Sequence, residues 1–209
     1  MPRVYAVVLV PVKAFAAAKA RLAGVLSNSE RVALAQWTAA RVLAAAGGLP
    51  AFVACDDAAV ADWAASRGAT VLWHPGVGLN AAVDDSVAHL GTLGVDTVVV
   101  AHGDLPRPSP LAALVAADMV TLVPDRHRDG TNVAAVPASS GFRFAYGAGS
   151  FRRHLDLAMA AGLALRVVAD PLLALDIDTP ADLTHPLVQD VLPAWLPTIP
   201  ANRPSSLAS

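Results

Sequence analysis

At 209 residues, 55% apolar and only 15% charged, the chain is long enough for one large domain or at most two small ones and far too apolar for disorder. A formal net charge of -2 and a pI near 6.3 leave no general basic field, which argues against a non-specific nucleic-acid binder. Charged and turn residues interrupt the chain too often for a membrane span of roughly 18 residues. The single cysteine, Cys55, excludes an intramolecular disulfide and a cysteine-rich zinc site. The opening MPRVYAVVLVPVK lacks a signal peptide's apolar stretch and cleavage site, so a reducing cytoplasm is expected.

The first element, Tyr5 to Val12 (YAVVLVPV), is a nearly unbroken β-branched run that suits a central strand buried on both faces. Ser27-Asn28-Ser29-Glu30 then offers caps and a first-turn carboxylate. Val32, Leu34, Trp37, Val42 and Leu43 recur at helical spacing until Gly47-Gly48, which predicts a long helix. Further strands are predicted at Ala51 to Ala54, Thr70 to Trp73, Val95 to Ala101, Val120 to Val123, Val133 to Val136, Phe142 to Tyr146, Leu165 to Val168 and Leu173 to Ile177. Helices are predicted at Ala58 to Ser66, Asn80 to Leu90, Ser109 to Ala117, Ser150 to Ala161 and Pro180 to Leu183. This alternation implies an α/β fold, a mostly parallel mixed sheet flanked by helices on both faces. Val133 to Val136 and Phe142 to Tyr146, joined by Ala138-Ser139-Ser140-Gly141, predict a small β-hairpin insertion. Residues 1–185 read as a single domain. From Pro186 the chain turns proline-rich and poor in charge, which predicts an irregular tail over 186–209 that packs Trp195 and Leu196 before it frays.

Open parallel sheets bind ligands at the carboxyl ends of their strands, so polar residues just after strand runs are the candidates for chemistry. The only two lysines, Lys13 and Lys19, fall with Arg21 on the connection after the first strand. Three cations there can converge on a polyphosphate, Arg21 bidentately and the lysines as point charges, although a solvated basic loop has the same composition. Val98 to Pro106 (VVVAHGDLP) sets Asp104 behind a buried strand, with Gly103 admitting close backbone approach. Such an acid can hold a divalent cation or cap the next helix. Leu175 to Pro180 (LDIDTP) repeats the pattern: alternation puts Asp176 and Asp178 on one face, while Asp178 or Thr179 could instead cap the helix at Pro180.

Two small-residue loops, Asp129-Gly130-Thr131-Asn132 and Gly147-Ala148-Gly149-Ser150, offer backbone donors and hydroxyls to an anion, or form an ordinary turn and cap. Gly76-Val77-Gly78-Leu79-Asn80 could contact a nucleotide base or ribose, yet it matches neither GxGxxG nor GxxxxGK[ST]. The six histidines show no HExxH spacing and no GxSxG elbow occurs, which argues against zinc and α/β serine hydrolases. His102, beside Asp104, reads as a structural histidine.

Taken in order, several of these segments resemble the guanylyltransferases of deazaflavin coenzyme F420 biosynthesis, which act on 2-phospho-L-lactate or phosphoenolpyruvate. They are Lys13 to Leu22 (KAFAAAKARL), Gly78-Leu79-Asn80, Gly103-Asp104-Leu105-Pro106, Asp125 to Asn132 (DRHRDGTN), Phe144 to Ser150 and Asp176 to Pro180 (DIDTP). The resemblance implies a nucleotidyltransferase-type α/β sandwich in which GTP and a small phosphorylated three-carbon acid condense to a guanosine diphosphate-linked product and pyrophosphate. It implies that Lys13, Lys19 and Arg21 meet the triphosphate as catalytic cations. Asp104 and Asp178 would hold magnesium (Mg2+), with Asp176 an open alternative for the second ligand. Thr131, Gly147 and Ser150 would bind the acceptor, and Gly78 and Asn80 the nucleotide. His102-Gly103 before Asp104, Arg107 after Pro106, and Ala20 depart from the residues common in the family.

An acceptor phosphate monoester is largely dianionic at neutral pH, its second pKa being about 6, so it needs positioning and charge neutralisation rather than a general base. Aspartates for metal and Lys/Arg for phosphate suit that chemistry. An alanine- and arginine-rich composition of the actinobacterial kind favours phosphoenolpyruvate over 2-phospho-L-lactate or 3-phospho-D-glycerate. A molybdopterin-type nucleotidyltransferase lacks support in the first loop, which is not glycine-rich. A non-catalytic nucleotide-binding module stands as the alternative of a different class, and a homodimer is left open.

Overall fold

The computed structural model describes residues 4–198, so the end of the expected tail, 199–209, lies outside it. Seven strands form one sheet in the order β3-β2-β1-β4-β6-β5-β7: β1 Ala6–Pro11, β2 Ala51–Cys55, β3 Thr70–Trp73, β4 Thr97–Ala101, β5 Met119–Pro124, β6 Thr131–Pro137 and β7 Ala164–Val167. Only β6 runs against its neighbours, pairing antiparallel with β4 and β5; the other pairings are parallel. The helices are α1 Asn28–Ala45, α2 Ala58–Ser66, α3 Gly78–Thr92, α4 Ser150–Ala160, α5 Pro180–Leu183 and α6 Pro186–Gln189. None of the described helices is long and apolar enough to cross a membrane.

The local signals explain most of these elements. β1 is buried from Ala6 to Val10, as an all-apolar central strand must be. α1 starts with a reciprocal cap, in which the Glu30 amide donates to Ser27 Oγ at 3.3 Å and the Ser27 amide donates to Glu30 Oε2 at 2.7 Å. α1 and α2 cover one sheet face through Ala35, Val42, Val60 and Ala64, and α3 and α4 cover the other through Val83, Leu90, Phe151 and Ala158.

Three expected elements are different. Phe142 to Tyr146 is not a strand, and the small hairpin insertion does not form: β6 is already paired along both edges, so no edge is left for a further strand. Its aromatics instead lie on the sheet face with α4, and the hairpin that does form is β5–β6. Ser109 to Ala117 gives only one 3-10 turn at Leu111–Leu114, with Pro110 at its N-cap and Val115 already back in extended backbone, φ -65° and ψ 127°. Leu173 to Ile177 is no strand either. It still alternates, with Leu173, Leu175 and Ile177 buried, and it touches the sheet's neighbourhood through the Ile177 amide donating to the Asp104 carbonyl at 3.2 Å.

A third apolar cluster joins Leu22, Leu34, Leu175, Ile177 and Leu183 to Val188 and Leu196, so the start of the proline-rich segment packs on the sheet domain. Leu196 is buried as expected, but Trp195 is 47% exposed. On the opposite side, His154 of α4 is fully buried. Its Nε2 accepts the Ala145 amide at 2.8 Å, so Nδ1 must carry the proton it shares with Thr131 Oγ1 at 2.9 Å. Burial, then the charges of His102 and Arg153, depress its pKa from 6.5 to about 4.

Two outcomes follow for stability. Leu9→Ala should lower the unfolding free energy by about 3 kcal/mol in urea titrations, whereas Leu93→Ala, at 59% exposure, should change it by under about 0.5 kcal/mol. Unfolding lets His154 bind a proton below pH 6.5 that the folded chain refuses until about pH 4. Its contribution is therefore complete above pH 6.5 and falls as pH drops toward 4, by up to about 3 kcal/mol in total. Urea unfolding of wild type and His154→Gln across that range should show the wild type losing more stability; parallel curves would refute the assignment.

Candidate active site

β1 sits where the connections diverge: β2 and β3 are added on one side of it, β4 and the rest on the other. Connections leaving in opposite directions part over the carboxyl ends of β1 and β4 and open a crevice there. A cavity of about 370 Å³ fills it, lined by Val12, Lys13, Lys19, His102, Asp104 and Asp178 among others. A second cavity of about 260 Å³ adjoins it, sharing Pro11, Val12, Lys13 and Leu79 and adding Cys55, His74 and Gly78.

The acidic side of the crevice is built from two segments. Asp104 leaves the end of β4. Asp176 and Asp178 flank buried Ile177, so strand-like alternation aims both carboxylates at the crevice even though the segment joins no sheet. One oxygen from each of Asp104, Asp176 and Asp178 lies within 4.8 Å of the others. Burial, and then the charges of Asp104 and Asp178, push the Asp176 carboxyl up to about 7. Burial also works to raise Asp104, but the Lys19 ammonium and the His102 ring more than offset it and hold its pKa below the usual value. Asp104 Oδ1 is buried without a hydrogen-bond partner. An all-carboxylate set, one unpartnered oxygen and mutual repulsion fit a hard divalent cation, so these residues can hold one.

The basic side comes from the first loop. Lys19 adopts a left-handed backbone, φ 56°, between the 3-10 turns Phe15–Ala17 and Ala20–Leu22. Its ammonium lies 3.2 Å from Asp104 and 3.5 Å from Asp178, and only 7% of the side chain is exposed. Arg21 is 75% exposed and meets Asp178 at 3.7 Å. Lys13 borders both cavities. Lys19 thus faces the carboxylates directly, whereas Lys13 is presented to the open space.

Gly78 lines the second cavity at the start of α3 with φ +72°, a conformation that favours glycine. Asn80 is committed elsewhere: its Oδ1 accepts the Tyr146 amide at 2.7 Å and its Nδ2 donates to the Tyr146 carbonyl at 3.4 Å. Thr131, Gly147 and Ser150 come together, as the Thr131 amide donates to Ser150 Oγ at 3.1 Å and the Ser150 amide to the Gly147 carbonyl at 3.0 Å. They border neither cavity just described. Gly147 has φ +122°, which an L side chain rarely adopts. Gly103 is different: a Cβ there would meet Val10, Ala39 and Val12 at 3.5–3.6 Å, ordinary contact, so close backbone approach is not what the position demands.

Several residues that organise this region carry no local sequence signal. The Arg153 guanidinium donates to the Ala145 and Ala148 carbonyls and pins the loop before α4. Asn132 reaches the Leu173 carbonyl at 3.0 Å and Asp176 Oδ1 at 3.4 Å. His102 packs its ring 4.7 Å from that of Tyr146. Asp182 was legible in principle, since Thr179-Pro180-Ala181-Asp182 has the spacing of a helix-start capping box.

Comparison with known proteins gives the family and the fold. Residues 6–189 match the family described as "Guanylyl transferase CofC like". A phosphoenolpyruvate guanylyltransferase of Sphaerobacter thermophilus is 39% identical over 186 residues, covering 85% of this chain and 90% of that protein. A 2-phospho-L-lactate guanylyltransferase of Halorubrum lacusprofundi is 34% identical, covering 81% of this chain and 79% of the other. Among solved structures, a nucleotide-diphospho-sugar transferase from Desulfovibrio desulfuricans superposes with a TM-score of 0.71 at 16% identity, covering 87% of this chain and 85% of that one. CMP:2-keto-3-deoxy-manno-octonic acid synthetase superposes with a TM-score of 0.57 at 17% identity, covering 85% and 95%. These two likenesses establish a nucleotidyltransferase fold. With the family model spanning nearly all of the sheet domain, the chain belongs to the CofC-like guanylyltransferases.

Proposed function

We propose that this guanylyltransferase condenses GTP with phosphoenolpyruvate, giving enolpyruvyl-diphospho-guanosine and pyrophosphate in deazaflavin coenzyme biosynthesis. The observation that carries the reading is the meeting of Asp104, Asp176 and Asp178 with Lys13, Lys19 and Arg21 over the β1–β4 crevice. The name carried by the Sphaerobacter relative supports the acceptor. A buried, unbridged Cys55 suits work in the cytoplasm.

In this reading a phosphate oxygen of the acceptor attacks the α-phosphorus of GTP. The new bond is the P–O–P bridge of the product; the bond that breaks is the bridge to the β-phosphorus, whose electron pair leaves with pyrophosphate. The attacking oxygen is already deprotonated, so no side chain has to take a proton. Lys13, exposed at the junction of the two cavities, and Arg21 neutralise the triphosphate and the departing pyrophosphate. Lys19 holds Asp104 and Asp178 in place and adds a third positive charge beside them. Magnesium held by Asp104 and Asp178, with Asp176 alongside, would supply charge neutralisation between the two anionic reactants. Gly78 and the start of α3 border the nucleotide, while Asn80 acts through the Tyr146 backbone it holds. Thr131 and Ser150 are buried and committed to His154, to each other and to the Gly147 carbonyl, so on the acceptor side they act by shaping the loop at Gly147 rather than by free hydroxyls.

Asp104→Asn and Asp178→Asn should each lower turnover at least about a hundredfold with the far-UV circular dichroism unchanged. Near-normal rates in either variant would remove it from the ligand set. Lys13→Ala should raise the KM for GTP more than that for the acceptor. Competition of phosphoenolpyruvate, 2-phospho-L-lactate and 3-phospho-D-glycerate at equal concentration, with GTP and magnesium and products read by mass, should yield mostly the enolpyruvyl product. A dominant phospholactate product would favour the activity named for the Halorubrum relative and overturn the acceptor chosen here.

A further inference from the structure

We infer that the ion pair of Arg126 and Asp182 is a positioning device for Asp178, through which the β5–β6 turn sets the placement of the cation-binding carboxylates. The inference rests on the reading above, that Asp178 is one of the residues holding the cation.

Asp182 is 4% exposed. Its Oδ2 accepts three hydrogen bonds, from the amides of Asp178 at 2.8 Å and Thr179 at 2.6 Å and from the Thr179 hydroxyl at 3.0 Å. Its other oxygen meets the Arg126 guanidinium. A carboxylate this buried needs a counter-charge, and the counter-charge comes from a different part of the chain. The Arg126 amide also donates to the Ala174 carbonyl at 2.9 Å, so the turn grips the chain on both sides of Asp176 and Asp178, at Ala174 and at Asp182. Capping α5 alone would need neither contact, because a helix-start carboxylate is satisfied by amides and water.

The same turn reaches in the other direction. Asp125 stiffens it by accepting the amides of His127, Asp129 and Gly130 at 2.9, 3.0 and 2.7 Å. Asp129 then holds the start of α4, its carboxylate accepting the Gly149 amide at 3.1 Å and its carbonyl the Phe151 amide at 2.9 Å. One short, braced turn therefore holds both the Asp178 side and the Gly147–Ser150 side of the site. Holding the Asp178 amide fixes the backbone from which its carboxylate projects.

Charge and placement make opposite forecasts for one variant. Arg126→Met removes a positive charge near the carboxylates, which by Coulomb's law alone would tighten cation binding. If Arg126 and Asp182 act by placement, cation binding should weaken instead. The test is titration of Mn2+ against the purified full chain, reading free ion by electron paramagnetic resonance, with urea unfolding in parallel. Wild type should bind Mn2+ and Asp178→Asn should lose it. Asp182→Asn and Arg126→Met should each weaken Mn2+ by about tenfold, and Arg126→Lys should recover most of it. Turnover should fall with the KM for GTP changed less than about threefold. Unchanged or tighter Mn2+ binding in Arg126→Met, or a loss seen only in urea stability, overturns the positioning role while leaving the cation site standing. Absence of Mn2+ binding by the wild type overturns the cation site and the positioning role together.

Discussion

Three carboxylates held within 4.8 Å of one another are the constraint around which the rest of the crevice is arranged. Two like charges about 4 Å apart repel by about 4 kcal/mol at the effective dielectric of a protein surface, so such a cluster would drift apart if its backbone allowed. It does not allow it. Asp104 is fixed by the exit of β4, and Asp176 and Asp178 are fixed by Leu175 and Ile177, which are buried in an apolar cluster between them and the helices. What the backbone imposes, Lys19 and Arg21 partly offset, while burial, and then the charges of Asp104 and Asp178, hold the Asp176 carboxyl up at about 7. A cluster of this kind can hold a divalent cation.

The loop before α4 is organised by a different rule, satisfaction of buried polar groups. Gly147 and Gly149 take conformations that leave the loop before α4 without a regular hydrogen-bond ladder. Asn80, Asp84, Arg153 and His154 each take up a backbone amide or carbonyl of residues 144–148, so the loop is braced from two helices, α3 and α4. His154 must stay neutral to do this, and its burial among Phe142, Phe144 and Tyr146 ensures that it does near physiological pH. Guanylyl transfer from GTP needs two anions to be presented in line, and rigid donors cost no reorganisation at the moment of reaction.

Much of this was legible in the chain itself. The β-branched run at the start, the Ser27 cap and the apolar periodicity of α1 act over a few residues, so they mark a central strand and a long helix without tertiary information. The placement of Asp104 and of Asp176 and Asp178 just after apolar runs was equally plain, because strand ends in an open α/β sheet are where ligands bind. Alternation even put the last two on one face correctly, although their segment turned out not to be a strand. Lys13, Lys19 and Arg21 stood out because the only lysines of the chain fall in one loop.

Tertiary structure alone decided what depends on competition for partners. Phe142 to Tyr146 has strand-like residues but finds both edges of β6 taken, so its side chains become a wall instead of a ladder. Asn80 looked like a nucleotide contact and is spent on Tyr146, and Lys19 faces carboxylates that lie 85 and more residues away in the chain. Arg126 and Asp182 join two turns that no local pattern connects. Local periodicity and capping are written in neighbouring residues and so can be read from them; which strand edge is free, and which charge neutralises which, is settled only when distant segments share one volume.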